Sequence, residues 1–479
     1  MLIAMFAGSL MTMAIMETSG KPWAPPVAVE PGEAGNEGET GQDGSTSLTA
    51  EQLRKISQAF ALIERRFYMD VDADELVDGA IRGMLDALND PHSVYMDAEQ
   101  ARHFEETTIS STFSGIGAEV TVRDGRITVV SPIKGSPAEK AGIRTDDILL
   151  SVNGESLEGL SLNEAVMKIR GPKGTKAKLL ILRGDSPEPI EITVIRDDID
   201  IETVFAEMLD NGIGKIEIRQ FAEKTKERFF EELEALEAAG LKGLIIDVRS
   251  NPGGLLYEVV DLIQPFVPEG QTIVQVEDRS GKVEKQVSQG GKKPYEIVVL
   301  TNRGSASASE ILAGAIKENG VGVVIGETTY GKGTVQANFD SGAGDGSTIK
   351  LTIAKWLTPN GNFIEGVGIE PNIEVSMPEL FYVSPFIRGQ TYGPEDNHAE
   401  VRKLQLMLDG IGYTVDRTDG YFSAATERAL RKFQGDHELE QTGRLDDRTM
   451  EALERKVTEF LLKPENDLQL NKAIEYLNK

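Results

Sequence analysis

Between Gly214 and Leu357 the chain alternates strand-like and helix-like stretches, and this alternation restricts the fold more than any other feature. Ile216–Arg219 leads into a helix over Ala222–Ala239, and Gly243–Val248 into a helix over Leu256–Phe266. Strands near Ile273–Glu277, Val283–Val287 and Glu296–Thr301 follow. Then come a helix over Ala308–Lys317, a strand over Val321–Gly326, and strands near Val335–Phe339 and Ser347–Leu357. Strands linked through helices form crossover units, so the region reads as α/β, with ligand sites expected beyond the carboxyl ends of strands.

Three loops stand at such ends: Asp247-Val248-Arg249-Ser250-Asn251-Pro252-Gly253-Gly254, Asn302-Arg303-Gly304-Ser305-Ala306-Ser307-Ala308-Ser309-Glu310, and Gly326 through Gln336. The third nearly spells a phosphate-binding loop. Gly333 rather than Ser or Thr follows Lys332, however, and the next residues alternate like a strand, so nucleotide binding is rejected. In the second loop Ser307 and Glu310 satisfy a capping box, which on spacing alone favours a purely structural role. Against that stands the setting: an exposed serine flanked by small residues at a strand–helix turn suits acyl transfer, and a helix N-terminus favours nearby negative charge.

Composition narrows the chemistry. There is no cysteine, and the four histidines (His92, His103, His398, His437) leave residues 104–397 without imidazole. Thiolate nucleophiles, disulfides and cysteine metal sites are excluded. Catalysis in the central stretch is therefore expected to run without histidine. The net charge of −28, from 50 basic and 78 acidic side chains, argues against a nucleic-acid partner. Nothing resembles a ligand cluster, so no metal or cofactor is implied.

The flanks divide the 479 residues further. Residues 1–16 are mostly apolar and, at that length, fit a signal peptide or signal anchor better than a full span, possessing no basic start before Lys21. Residues 17–47, rich in Gly, Pro and Glu, read as an acidic tether. Residues 48–110 begin with a capping box at Thr49 and Gln52, and Leu53, Ile56, Phe60, Ile63 and Phe67 form one helix face. A second helix runs from Asp74 to Leu88. Residues 111–200 hold five short strands and two helices behind Ser114-Gly115-Ile116-Gly117. This order resembles a PDZ domain, in which converging N–H groups bind a peptide carboxylate and a strand edge accepts the peptide. Residues 395–460 carry LQxxLxxxGY, DGxF and ALxxFQ patterns and resemble a peptidoglycan-binding-like helical module. A helical tail follows at 461–479.

Taken together, SASASE, Lys332, Gln336, the upstream NPGG, DPHSVYM (90–96) and GxFIEGxGIxPxIxV (361–375) resemble the C-terminal processing peptidases, tail-specific serine–lysine proteases. The resemblance implies a multidomain α/β and α+β chain with a ClpP/crotonase-like protease core over 201–390. It implies Ser307 as nucleophile, Lys332 as general base and Gln336 as the group orienting the lysine. The oxyanion hole would use the backbone N–H of Ala308 and one from Gly253 or Gly254. Substrates would be proteins or peptides whose free C-termini enter the PDZ groove at Ser114, Gly115, Ile116 and Gly117, beside Val166 and Ile169. Arg170 is a candidate for coupling peptide binding to the protease, its bland alternative being a solvated surface arginine. An extracytoplasmic, envelope location, a homodimer assembled through 49–68 or the C-terminal module, and peptidoglycan as that module's alternative partner complete the expectation. A catalytically silent PDZ scaffold and a cell-wall-binding protein are the competing functions.

A lysine base needs tuning. Free lysine titrates near ~10.4, and burial can lower it by up to about 3–5 units. A shift of about three units corresponds to roughly 4 kcal/mol. A nearby carboxylate would reverse it, so Glu310 and Glu327 are expected to point away or be screened.

Overall fold

The computed structural model describes residues 12–13, 48–123, 125–184 and 188–479. The segment expected at 1–16 (Thr12 and Met13 apart) and the tether at 17–47 lie outside them. Among the described residues no helix is long and apolar enough to cross a membrane.

The α/β expectation is met by a six-stranded sheet in the order Val204–Met208, Ile213–Ile218, Gly243–Asp247, Glu296–Thr301, Val323–Gly326, Ile373–Glu374. The first pair is antiparallel and the rest parallel. Successive strand residues face opposite sides. Leu244, Ile246, Val299 and Val324 point into a core shared with Phe229, Val259 and Leu312 of the crossover helices. Ile245, Val298, Leu300 and Ile325 point the other way, where they meet Leu470 and Ala473. Those two belong to Leu468–Leu477, the last helix of the chain. A parallel sheet buries both faces, and the helical tail at 461–479 supplies the layer on this second face of the sheet.

A second sheet, with a strand that begins just after Lys332, carries Gln336. Its order is Thr12–Met13, Thr334–Asp340, Thr348–Leu357, Thr272–Asp278, Val283–Val287, and Val94–Met96 pairs with Thr348–Lys350. The short strand Val94–Met96, the helix Ala98–Phe104 and the π-turn Glu105–Ile109 after it carry no periodic signal long enough to reveal them.

The PDZ-like region forms its own sheet, Ala118–Arg123, Arg126–Pro132, Ile148–Val152, Lys176–Leu182, Ile190–Ile195, leaving Ala118–Arg123 at an edge beside the helix Leu162–Ile169. Thr112–Gly115 pairs instead with Asp197–Asp200. The capping box at Thr49 forms, but the helix Ala50–Arg66 buries no residue, so most of its apolar face has no partner among the described residues. In the C-terminal module, Val401, Leu404, Phe422, Leu430, Phe433 and Leu453 form a separate core. Its signature glutamines are engaged internally. Gln405 accepts from the Gly420 N–H at 2.9 Å and Gln434 from the Gly443 N–H at 2.9 Å.

Candidate active site

Strand Glu296–Thr301 ends in the SASASE loop, and the helix Ala308–Glu318 starts immediately after Ser307. Three serines alternate through this turn, and their hydroxyls have different fates. Ser305 Oγ donates to the Val248 carbonyl at 2.7 Å, and Ser309 Oγ to the Asn251 carbonyl at 3.0 Å. Ser307 Oγ is buried without a hydrogen-bond partner. Its residue is held at φ 56°, ψ −113°, a region that costs a non-glycine residue of order 1–3 kcal/mol and clusters at active sites. The Glu310 N–H lies near Oγ as a capping box requires, but it is aimed at the Ser307 carbonyl, 2.8 Å away. Only the glutamate half of the box therefore forms, and the serine hydroxyl is left over.

Of the two outcomes expected for that glutamate, turned away or screened, the structure has the second. Glu310 does not point away; it is fully buried and connects the Ser307 and Lys332 loops. Its Oε2 accepts the N–H groups of Ser307 at 2.7 Å and Lys332 at 2.9 Å, while Oε1 accepts Gly331 N–H at 2.7 Å and Thr329 Oγ1 at 2.6 Å. One carboxylate oxygen thus brings the backbones of Ser307 and Lys332 together. Burial pushes the Glu310 carboxyl up, and the four donors oppose that shift by favouring the ionised form. Glu327 does turn away, accepting the Tyr382 hydroxyl at 2.6 Å.

Lys332 is fully buried. Burial lowers its ammonium to about 7, helped by the like charge of Lys350 and opposed by Glu365, Glu310 and Asp90. Desolvation wins because a charge far from water loses more than these carboxylates return. The backbone around it is tightly enclosed: Trp356 Nε1 donates to the Lys332 carbonyl at 2.9 Å, and a Cβ on Gly333 would come within 2.7 Å of the Phe363 ring.

Other expected site residues fare differently. Gln336 is buried, its Nε2 donating to Thr334 and Thr352 hydroxyls at 3.0 Å each, while Oε1 has no partner. The lysine-orienting bond is therefore not made in this conformation. The Gly253 N–H is already held by Asn251 Oδ1 at 2.8 Å, which removes it as a ready oxyanion donor here. Gly253 nonetheless touches the site: at φ +107° a Cβ there would fall 2.8 Å from Ser307 Cβ and 3.1 Å from Ala308 N. Ala308 opens its helix, so its N–H has no intrahelical acceptor. Gly254 sits in a bridge to Phe221 at φ +145°.

Two sequence-based readings are corrected by burial. Ser307, expected exposed, is wholly enclosed, as are Lys332 and Gln336. Ile116 and Ile169, expected in the peptide groove, belong to the PDZ core. Ser114 Oγ bonds Asp198 Oδ1 at 2.7 Å; Val166 is half-buried, Gly117 lies at φ +75°, and a Cβ on Gly115 would approach Arg170. Arg170 is no free surface arginine: it pairs with Glu106 at 2.8 Å and covers the Phe113 ring.

Three participants were missed. Asn251 joins the first two loops: its Nδ2 donates to the Ile218 carbonyl at 2.7 Å, and its own carbonyl accepts the N–H of Ala306 at 3.0 Å. Arg249 is clamped bidentately by Asp467 of the tail, both bonds at 2.8 Å, and by Asp247. The charge of Lys332 bears on His92, helping to hold its imidazole below the ordinary value, so one histidine from outside the histidine-free stretch is coupled to this lysine. For Glu310 the signal was present in S-x-x-E, and His92 lay in the DPHSVYM motif without a role being read for it; for Asp467 no local pattern pointed to the site.

Comparison with known proteins covers nearly the whole chain. The Peptidase family S41 profile matches residues 212–375, a PDZ domain profile 128–183, a peptidoglycan binding domain profile 397–453, and the profile of the activating protease CtpB N-terminal domain 5–100. The chain is 44% identical over 427 residues to carboxy-terminal processing protease CtpB of Bacillus subtilis (strain 168), covering 88% of each. It is 42% identical over 438 residues to CtpA of the same organism, covering 91% of this chain and 92% of that one. Among solved structures, the photosystem II D1 C-terminal processing protease aligns at 27% identity over 69% of this chain and 94% of its own, with a TM-score of 0.40.

Proposed function

Because the chain belongs to peptidase family S41 and is a serine-type carboxy-terminal processing protease with a PDZ domain, we propose that Ser307 is its nucleophile and Lys332 its general base. The observation that carries this reading is the contrast among the three loop serines: only Ser307 keeps an unengaged hydroxyl, and its backbone shares one carboxylate oxygen with that of the buried lysine. Ser307 Oγ bonds to the scissile carbonyl carbon while neutral Lys332 takes its proton. The lysine passes that proton to the leaving amine, and water assisted by Lys332 then releases the acyl group. The Ala308 N–H stabilises the oxyanion, joined by Gly254 or, once Asn251 lets go, by Gly253. The unpartnered Oε1 of Gln336 is the acceptor that can steady the lysine ammonium.

Substrates bind through their free C-termini along the open edge Ala118–Arg123. Since all three catalytic side chains are enclosed, this conformation is a resting one, and peptide arrival has to open it. Arg170, placed between the Gly115 loop and Glu106, is the coupling residue. The exposed apolar face of Ala50–Arg66 is covered by a second copy of the chain, giving a homodimer. Replacing Ile56 and Ile63 with Glu is expected to yield a monomer by light scattering, and an unchanged mass would refute the dimer. The C-terminal module contributes to that assembly or to peptidoglycan contact, and the enzyme works in the cell envelope, its N-terminal apolar segment directing export.

The decisive experiment is cleavage of a model protein with an apolar free C-terminus. Ser307→Ala and Lys332→Ala are both expected to lose activity by at least about a thousandfold. Retained cleavage in either sinks the assignment.

A further inference from the structure

The turn Asp90-Pro91-His92-Ser93 has no part in the scheme above, yet it bonds the strand Thr348–Leu357, which pairs with the strand carrying Gln336. The strand it leads into, Val94–Met96, joins the sheet beside Thr348–Lys350. Ser93 Oγ donates to Asp90 Oδ2 at 2.6 Å and accepts the Thr352 N–H at 3.0 Å. His92 N–H donates to Asp90 Oδ1 at 3.1 Å. Thr352 Oγ1 in turn accepts Gln336 Nε2 at 3.0 Å. A continuous polar line therefore runs from Asp90 through Ser93 and Thr352 to the Gln336 carboxamide, whose other end is unengaged. Two residues before Thr352, Lys350 is 4% exposed, its ammonium 5.6 Å from the Phe104 ring centroid.

We propose that the Asp90–Ser93 turn and Lys350 are positioning residues for the protease site. The turn holds Gln336 in place through Thr352, and Asp90 and Lys350 set opposing charges against Lys332. This inference rests on Lys332 being the base. The charges that act on Lys332 are Lys350, which disfavours its ammonium, and Glu365, Glu310 and Asp90, which favour it; His92 in turn feels the Lys332 charge. His92 is held below its ordinary value by burial first and by the Lys332 charge second, with Lys350 adding to both and Asp90 and Glu365 opposing. Burial alone would raise Asp90, but hydrogen bonds from Ser93, Thr352 and the His92 N–H bring it below its ordinary value, so it stays ionised at neutral pH. Lys350 is lowered by burial to about 8, opposed by Asp90, and is mostly charged there too. A turn needed only for packing gains nothing from a lysine buried beside a second lysine, because neutral side chains of the same volume avoid the desolvation cost.

The test uses the full chain, with kcat/KM on the model substrate measured against pH. Asp90→Asn removes a charge that favours the Lys332 ammonium, so the acid limb moves down and the ratio of activity at about pH 6 to that at about pH 9 rises several-fold. Lys350→Met keeps the apolar stem and removes the like charge, so the limb moves up and the same ratio falls. Ser93→Ala breaks the line to Gln336 without changing any charge. It should lower kcat at least about tenfold with the limb unmoved. Opposite movements of the limb in the two charge variants support the proposal. Movements in the same direction, or none, overturn it. If Asp90→Asn does not melt cooperatively, Lys350→Met decides alone, and an unmoved limb there is fatal. Cleavage retained by Ser307→Ala or Lys332→Ala brings down the nucleophile and base assignment instead; inactive controls with unmoved limbs in the charge variants bring down only this inference.

Discussion

At the scale of single residues, the proposed chemistry depends on a lysine kept from water. Lys332 titrates at about 7 in the fold against 10.5 for the free group, so the acid limb of the rate profile is expected near neutrality. The same displacement bears on stability. Between those two values the unfolded chain binds a proton on this lysine that the folded chain does not, so stability rises with pH across the interval and falls as pH drops toward 7. Lys332→Met should therefore abolish cleavage while raising stability at neutral pH by up to about 4 kcal/mol, read as an increase in the denaturant midpoint. A midpoint that drops would show that the lysine is not desolvated as described. The identities of Ser307 and Lys332 were legible because each sits in a short motif. The role of Glu310 was not. A carboxylate three residues into a helix reads as a cap, and nothing local says that its second partner lies 22 residues away in another loop.

Loops and elements come next. The NPGG segment is held from both sides, by Asn251 against Ile218 and by the close approach of Gly253 to Ser307. Gly253 occupies φ +107°, where a side chain is strained whatever the space. Gly253→Ala should thus displace the nucleophile turn, lowering kcat at least about a hundredfold and stability by about 1–3 kcal/mol. Wild-type kinetics in that variant would remove Gly253 from the site. Most strands and helices of the core lie within a few residues of where periodicity placed them, because crossover helices and buried strands carry long apolar patterns. Val94–Met96 escaped, since three residues have no period, and its place in the sheet comes entirely from pairing with Thr348–Lys350.

For the molecule as a whole, segments distant in sequence complete one catalytic body. The chain leaves the protease core after Ile373–Glu374, builds the C-terminal module, and returns to cover the sheet with Leu468–Leu477. Its return is locked by Asp467 on Arg249, two residues before Asn251. Burial alone would lower the Arg249 guanidinium, but Asp247 and Asp467 hold it above its ordinary value. Asp467→Ala leaves that buried cation with one partner fewer and is expected to cost about 3 kcal/mol in stability. Because Arg249 leads into the NPGG loop, kcat should fall as well. A variant with an unchanged melting temperature would show the clasp to be dispensable.

The sequence of domain-like segments and the candidates for nucleophile and base can be read from the sequence by itself, since short motifs carry the family resemblance that names them. Tertiary structure alone decided that these groups are enclosed, that Glu310 joins their loops, and that the two ends of the folded chain supply a histidine, an aspartate turn and a covering helix. The physical reason is range. Periodicity and motifs report interactions across a few residues, whereas desolvation and the joining of loops depend on which distant segments pack together to exclude water.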